Sequence, residues 1–270
     1  MSQDFLQTTF GKTGLEVHRL GLSATYRPGK DVIYRAIDEG INYFFGFGID
    51  THMRKTLREV FKNNREKYIL AAGVSKFFFS DPNLRKKLET RLRQFGTDYI
   101  DIFLFMGVQK ENHLPESKME ELHRLKEEGK VRFVGISTHN RKFAGKLATE
   151  GALDVLMMRY NAAHRGAEEE IFPHLKEHNP GIVSFTATRW RSMLKKPKNW
   201  HENLQIPNPG MSYRFVLSNP HVHVCMTAPS NIKHFETNLQ EIKKGPLSEE
   251  EMDLMRKFGD EIYRSKKRFR

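Results

Sequence analysis

The sequence has a single cysteine, Cys225, and no apolar run long enough to cross a bilayer. A lone cysteine cannot form an intramolecular disulfide, which is typical of a reducing compartment. A membrane span needs about 18 or more consecutive apolar residues. The first ten residues, MSQDFLQTTF, lack the basic segment and apolar stretch of a signal peptide. We therefore expect a soluble, cytoplasmic protein.

Acidic residues are in the minority, since 45 Lys and Arg face 33 Asp and Glu for a net charge of +12. Such a charge favours an anionic partner, but no RNA-binding aromatic motif or zinc-finger spacing accompanies it. Five of the last seven residues are Lys or Arg, which is typical of a solvated terminal tail. We expect a small-molecule ligand of anionic character rather than nucleic acid or a membrane.

Short apolar runs alternate with amphipathic stretches along the whole chain. The predicted strands are 18–22, 41–45, 68–72, 100–105, 131–136, 155–158, 182–185 and 222–226. The predicted helices are 30–39, 53–63, 83–94, 117–128, 142–150, 168–177, 232–243 and 248–264, with an irregular segment over 189–218. Strands with consecutive apolar residues are typical of a parallel sheet covered on both faces. Eight strand–helix units predict a (β/α)₈ barrel, with residues 1–270 forming one domain.

Two helix ends carry recognisable signals. Gly129 follows the 117–128 helix and suits a left-handed C-cap. Ser248, with Glu251 three residues later, predicts a capping box at the start of the last helix.

In such barrels the chemistry lies on the loops that follow the strands. The polar residues of these loops are Tyr26, Arg27, Asp50, His52, His139, Arg159, Tyr160, His164 and Arg189. The arginines allow two interpretations. They either pair with carboxylates of the barrel, or they clamp the carboxylate or phosphate of a ligand.

Several segments, in this order and spacing, resemble the aldo-keto reductase family. They are 9–17 with 19–22, 40–44, 92–101, 129–137, and Ser230-Asn231 with Asn238. The resemblance implies a TIM barrel whose bottom is plugged by an N-terminal β-hairpin, an extra C-terminal helix, and an oxidoreductase that binds NADP(H).

The resemblance also implies four catalytic residues, and none of them matches. Phe45 stands at the position of the family's aspartate and Asp50 at that of its tyrosine. Met106 stands at the histidine position, and Lys76 lies three residues past the expected lysine near Gly73. The loss of a general acid lowers the rate by about 10²–10⁴-fold. We therefore expect reduced or non-standard activity, with Tyr26, Asp50, His52 and Lys76 as the candidate catalytic residues, and Tyr26 and His52 as the best substitute acids.

More of the positions that the resemblance assigns to the cofactor than of the catalytic positions carry the family's residue. Ser137 matches the serine that binds the carboxamide, whereas Thr138 replaces an asparagine and Met157 a glutamine. Phe185 falls where an aromatic ring stacks on the nicotinamide. The remaining candidate cofactor residues are Ser230, Asn231, Lys233 and Asn238, and the candidate substrate residues are Arg27, His139, Arg159 and Arg189.

Simpler interpretations stay open. Ser230 as a plain helix cap and Phe185 as core packing are alternatives to cofactor binding. His221 and His223 share a strand face, but no third ligand accompanies them, so we expect no metal. Three functions remain: an NADP(H)-dependent oxidoreductase, a nucleotide-binding sensor without turnover, and a redox-independent enzyme acting on an anionic substrate.

Overall fold

Eight parallel strands close into a barrel in the order β10-β3-β4-β5-β6-β7-β8-β9. The computed structural model describes residues 5–47, 50–75, 83–198 and 200–265. The barrel strands are β3 (Leu20–Ser23), β4 (Tyr43–Gly46), β5 (Ile69–Ser75), β6 (Ile100–Val108), β7 (Val131–Thr138), β8 (Val155–Arg159), β9 (Gly181–Phe185) and β10 (Val224–Thr227). An antiparallel hairpin precedes them, formed by β1 (Gln7–Thr9) and β2 (Glu16–His18). The predicted barrel and hairpin are confirmed.

Helices lie between the strands and after the last one. They are α1 (Lys30–Asp38), α2 (Thr51–Asn64), α3 (Leu84–Phe95), α4 (Glu116–Glu127), α5 (Arg141–Glu150), α6 (Ala167–Glu170), α7 (Pro209–Leu217), α8 (Ile232–Ile242) and α9 (Glu249–Ser265). The C-terminal helix is thus confirmed. None of the helices in the described ranges is both long and apolar enough to cross a membrane.

The prediction of one helix over 168–177 is wrong. Helix α6 ends at Glu170, and a 3₁₀ turn, Phe172–His174, follows it. Pro173 has no N–H for a helical hydrogen bond, and its ring disfavours helical backbone at the preceding residue. The other helices agree with the prediction to within a few residues.

Both predicted helix-end signals are present. Gly129 follows α4 with a φ of +73°, which a residue with a side chain rarely adopts. Ser248 Oγ accepts a hydrogen bond from the N–H of Glu251 at 3.2 Å, and Glu251 Oε2 accepts one from the N–H of Ser248 at 3.0 Å. This reciprocal pair fixes the start of the last helix.

Alternation along the strands divides the core in two. One set of side chains packs outward against the helices, while a second set fills the barrel itself, including Tyr43, Ile102 and Val183. Phe10 of the hairpin segment closes the lower end, because its ring contacts Tyr43 edge-on at 5.9 Å and His223 at 5.8 Å. The opposite end, where the strands terminate, is therefore the open mouth.

The two histidines just before β10, His221 and His223, have structural contacts. His223 Nδ1 accepts a hydrogen bond from the N–H of Ile182 at 3.0 Å, and His221 stacks on Phe172 at 5.3 Å. Within the described residues, no three His, Cys, Asp or Glu side chains are grouped in a way that would hold a metal ion.

Candidate functional site

Ser137, Arg159 and Phe185 face the barrel interior at the ends of three adjacent strands. Ser137 pairs in register with the interior residue Met157, and Arg159 pairs with Phe185. Because strand side chains alternate, Arg159, two residues after Met157, points to the same side. All three side chains are half-buried, so they form one wall of the mouth that a ligand can reach.

His139 lies just beyond β7 and borders this wall. Its ring meets Phe185 edge-on at 5.2 Å and lies 6.5 Å from the ring of Trp190. Burial, helped by the nearby charge of Arg159, lowers the pKa of His139 to about 4. The imidazole is therefore neutral at pH 7. Its Nδ1 atom is buried and has no hydrogen-bond partner among the residues that the structure describes.

Arg159 lies in a strongly positive environment. Burial, together with the charges of Arg141 and Arg189, lowers the pKa of its guanidinium to about 10. Arg141 itself forms a 2.7 Å ion pair with Glu170. An anion bound beside Arg159 would relieve both the burial penalty and the like-charge repulsion.

Arg189 is buried and anchored to the last helix. Its Nη1 donates a 2.6 Å hydrogen bond to the carbonyl oxygen of Ile262, and its guanidinium lies 6.0 Å from the ring of Tyr263. This bond to a backbone carbonyl adds to the two interpretations of the arginine, carboxylate pairing and ligand binding, which both stay open.

The backbone after β9 is strained. The φ angles of Thr186, Arg189, Trp190 and Arg191 are 63°, 47°, 48° and 69°, in the left-handed region that favours glycine. Such conformations cost about 1–3 kcal/mol each and cluster at functional sites. The loop therefore holds Arg189 and Trp190 in positions that an unstrained turn would not provide.

The wall of the mouth formed by β4 and β6 is apolar, and Met106 of β6 pairs in register with Ser137 of the adjacent β7. Phe45 is 3% exposed and Met106 is 6% exposed, and both belong to the cluster that fills the barrel. Phe47 stacks on Phe45 with ring centroids 5.7 Å apart and nearly parallel planes. These residues offer no proton donor at the ends of β4 and β6.

Three of the predicted catalytic residues follow β3 or β4: Tyr26 ends a 3₁₀ turn after β3, Asp50 caps α2, and His52 lies in the first turn of α2. Tyr26 is 50% exposed, and Arg27 beside it is exposed with a φ of 54°. Asp50 is buried and caps α2, accepting hydrogen bonds from the N–H groups of His52 at 3.0 Å and Met53 at 3.1 Å. The side chain of His52 is exposed. Lys76 lies outside the described residues.

Thr138 has a structural arrangement. Its side chain is buried, its hydroxyl donates to the carbonyl of Val108 at 2.5 Å, and the same oxygen accepts from the N–H of Asn140 at 2.9 Å. These bonds join the end of β7 to the last residue of β6, and they occupy the hydroxyl on the outer side of the strand.

Helix α8 begins at the same end of the barrel. Its capping residue is Asn231, whose Oδ1 accepts from the N–H of His234 at 2.9 Å, rather than Ser230. The Ser230 hydroxyl bonds the ring Nδ1 of His234 at 3.1 Å. Lys233 is exposed in the first turn, and Asn238 is buried further along the helix. A helix N-terminus with a nearby lysine suits a phosphate group.

The family model for the aldo/keto reductase family matches residues 30–199, more than half of the chain. The chain belongs to this family. It is 23% identical to the uncharacterized oxidoreductase YqkF of Bacillus subtilis, with 91% of this chain and 94% of that protein covered. It is 24% identical to L-galactose dehydrogenase of Arabidopsis thaliana, with 71% of this chain and 68% of that protein covered.

Solved structures of other family members share the fold. Aldo-keto reductase AKR11C1 from Bacillus halodurans, in its holo form, has a TM-score of 0.77 at 20% identity, covering 93% of this chain and 95% of that one. An aldo/keto reductase from Klebsiella pneumoniae, in complex with NADP and acetate, has a TM-score of 0.71 at 17% identity, covering 94% and 95%. At these identities the likeness shows the architecture alone.

Three residues at the mouth of this family member were not predicted from sequence. Trp190 borders His139, Tyr263 lies beside Arg189, and Arg141 adds its charge to that of Arg159. Trp190 follows a predicted substrate residue, so its position was a usable signal. Tyr263 is 74 positions from Arg189 in the chain, and only the packing of α9 brings the two together.

Proposed function

We propose that this aldo/keto reductase family member binds NADP(H) at the mouth of its barrel and catalyses reduced or non-standard carbonyl reduction. The observation that carries the proposal is the pair formed by Ser137 and Phe185. Both face inward from the strands that flank β8, at the end of the barrel where α8 begins. Ser137 and Phe185 would hold the flat end of a ligand, and the start of α8 would hold a phosphate at its other end.

The chemistry of the donor set fits a nicotinamide nucleotide. The Ser137 hydroxyl would bond the carboxamide, and the half-buried Phe185 ring offers an apolar face to the nicotinamide. The buried Nδ1 of His139, which has no partner among the described residues, provides a further polar atom at this position. The first turn of α8 and Lys233 would hold the adenosine phosphate. Bound NADPH would supply the hydride.

The apolar wall supports the reduced activity. Phe45 and Met106 stand where the resemblance expects the aspartate and the histidine, and neither can hold or move a proton. Of the remaining candidates, Asp50 has its carboxylate engaged as a helix cap. Tyr26 and His52 are exposed, so a substrate reaching the mouth would meet them only at its outer edge. Without a positioned general acid, a rate lower by about 10²–10⁴ is expected.

Titration of the purified protein with NADPH and NADH tests the proposal. We expect micromolar binding of NADPH and weaker binding of NADH. The Ser137→Ala variant should bind NADPH roughly 2–10-fold more weakly, because one hydrogen bond is lost. The matched control is Ser117→Ala, which removes an exposed hydroxyl on α4. Absence of binding at millimolar NADPH would overturn the proposal.

A second function, nucleotide binding without turnover, is favoured by the burial of Phe45 and Met106. The two functions differ in one measurement, the oxidation of NADPH in the presence of a panel of carbonyl compounds. Binding with oxidation above the protein-free rate supports the reductase. Binding with no oxidation supports a sensor or binding protein.

A further inference from the structure

We propose that the mouth of the barrel binds the carboxylate of its ligand between Arg159 and Arg189, so that the substrate is a carbonyl compound bearing a carboxylate on an apolar skeleton. The carbonyl part of this statement rests on the proposed function. The carboxylate part rests on the side chains of the β7–β9 wall and can be tested without a nucleotide.

The first step is the position of Arg159. It is the last residue of β8, it faces inward, and it pairs in register with Phe185 while Ser137 pairs with Met157 two residues earlier. The guanidinium therefore lies next to the residues proposed to hold the nicotinamide. A charged group of the substrate bound there would be close to the reacting centre.

The second step is the concentration of positive charge. Arg159 is the last residue of β8, and Arg189 lies on the loop that follows the adjacent strand β9, so the charge of Arg189 acts to lower the pKa of Arg159. Arg141, which pairs with Glu170, acts in the same direction. The half-buried guanidinium of Arg159 and the buried guanidinium of Arg189, on neighbouring segments at the end of the barrel, suit a bidentate anion.

The third step is the fixed position of Arg189. Its bond to the carbonyl of Ile262 and the left-handed backbone at this residue hold the guanidinium in place before any ligand arrives. A clamp that is already ordered loses little conformational entropy on binding. The strain in this loop also gives a physical reason to regard the arrangement as functional.

The fourth step is the character of the surroundings. Phe185 is half-buried, Trp190 is 40% exposed, and the buried Met106 pairs in register with Ser137. His139 is neutral at pH 7 and borders both aromatic rings, so it offers a polar atom without a charge. The ligand best matched to this mixture has an anionic head and an apolar body.

Phosphate is the competing anion, because a guanidinium binds phosphate as well as carboxylate. The location decides between them. Arg159 lies on the barrel wall beside Ser137 and Phe185, whereas the proposed phosphate position is at the start of α8, after a different strand. We therefore assign the arginine pair to a carboxylate of the substrate.

Phenylglyoxylate, its uncharged methyl ester and inorganic phosphate are suitable probes, with binding followed by calorimetry or ligand-observed NMR on the full chain. The wild-type protein should bind the acid about tenfold or more tightly than the ester, and phosphate should not displace the acid at comparable concentration. Equal affinities for acid and ester, or displacement by equimolar phosphate, would overturn the proposal.

Variants locate the effect. Arg159→Met should weaken binding of the acid by about tenfold or more and change binding of the ester less than about twofold. Arg159→Lys keeps the charge but loses the planar fork, so it should fall between wild type and Arg159→Met. Arg141→Met is the matched control, since Arg141 adds positive charge to the same region but forms an ion pair with Glu170. Equal losses in the Arg141 and Arg159 variants would show general attraction and exclude a clamp.

The proposed carboxylate site and the proposed NADP(H) site are tested by independent measurements. Binding of the acid is measured in the absence of nucleotide, and NADPH binding is measured in the absence of the acid. Acid binding without NADPH binding would remove the proposed reductase and keep the carboxylate site. NADPH binding with equal affinities for acid and ester would remove the carboxylate site and keep the proposed NADP(H) site. The comparison of acid with ester uses only wild-type protein, so it stands even if the Arg159→Met variant does not fold.

Discussion

Arg189 and Ile262 are joined by a 2.6 Å hydrogen bond from a guanidinium Nη1 to a backbone carbonyl oxygen. Ile262 lies in the last turn of α9, and its carbonyl oxygen also accepts a hydrogen bond from the Ser265 hydroxyl at 3.2 Å. A cation at this end is also favoured by the helix dipole. The bond therefore attaches the strained loop after β9 to the C-terminal helix and defines one side of the barrel mouth.

We predict that Arg189→Met lowers the free energy of unfolding by about 1–3 kcal/mol. The substitution removes the hydrogen bond that the charged guanidinium donates to the carbonyl oxygen of Ile262. Arg191→Met is the matched control. Arg191 has the same left-handed backbone but an exposed side chain, and its change should stay within about 0.5 kcal/mol. Urea denaturation of both variants measures the difference. Similar losses of stability in the two variants would mean that the hydrogen bond from Arg189 to Ile262 does not contribute measurably to stability.

Stability should decrease between pH 6.5 and pH 4. Burial and the charge of Arg159 lower the pKa of His139 from 6.5 to about 4, and burial with the charge of Arg19 lowers that of His223 to about 4. The unfolded chain binds these protons near pH 6.5, while the folded chain resists them until about pH 4. The free energy of unfolding is therefore highest above pH 6.5 and falls as the pH drops through this window.

Substitution isolates the contribution of His139. The His139→Phe variant should lose less stability on acidification than wild type, by an amount on the order of 2 kcal/mol after allowance for its partial exposure. His52→Gln, which changes an exposed histidine, is the control. Denaturant curves at several pH values from 7 to 4.5 give the slopes. Parallel slopes for wild type and His139→Phe would contradict the prediction.

Phe185→Leu should weaken NADPH binding by about 2–10-fold, since stacking by an aromatic ring is worth about 0.5–1.5 kcal/mol beyond its buried area. Phe133→Leu is the control, because Phe133 is also half-buried on a barrel strand but lies four residues before Ser137. Fluorescence titration with NADPH gives both affinities. An unchanged affinity in Phe185→Leu would favour the core-packing interpretation of this ring.

Asp101→Asn should destabilise the protein by about 3–5 kcal/mol and leave NADPH affinity unchanged. The carboxylate is fully buried, bonds Arg65 at 2.6 Å and Arg132 at 2.9 Å, and accepts the N–H of Leu70 at 2.9 Å. Without this negative charge, the positive charge of the largely buried Arg65 guanidinium is no longer compensated.

Asp101 lies near the start of β6, at the closed end of the barrel, so the loss should appear in thermal unfolding and not in ligand titration. Asp98→Asn, an exposed change three residues earlier, is the control. A weaker nucleotide affinity in folded Asp101→Asn would show that the two ends of the barrel are coupled.

The strands and most helices could be predicted because their signals are local. Consecutive apolar residues mark β6 and β7, and Ser248 with Glu251 marks the start of α9 through a bond between near neighbours. The 168–177 segment shows the limit of such signals. Its composition favours a helix, but Pro173 interrupts the backbone hydrogen bonds, and the turn of Phe172–His174 results.

The candidate site was only partly predictable for a different reason. Ser137 and Phe185 were found through the resemblance to the family, which assigns both positions to the cofactor. Arg159 was found because it directly follows a predicted strand, and parallel strands in a barrel end at one face. The predicted Tyr26 and His52 have the same kind of position, yet the structure leaves their side chains exposed. The sequence does not indicate how far a loop side chain turns toward the mouth.

The sequence by itself determined the eight-stranded barrel and the family, because alternation of apolar and amphipathic segments and the order of the family's segments are properties of the chain. Only the tertiary structure decided that Arg159 lies among other guanidiniums, that Arg189 is held by the carbonyl of Ile262, and that His139 is neutral. These are contacts between residues far apart in the chain, and burial and charge depend on what folding brings into contact.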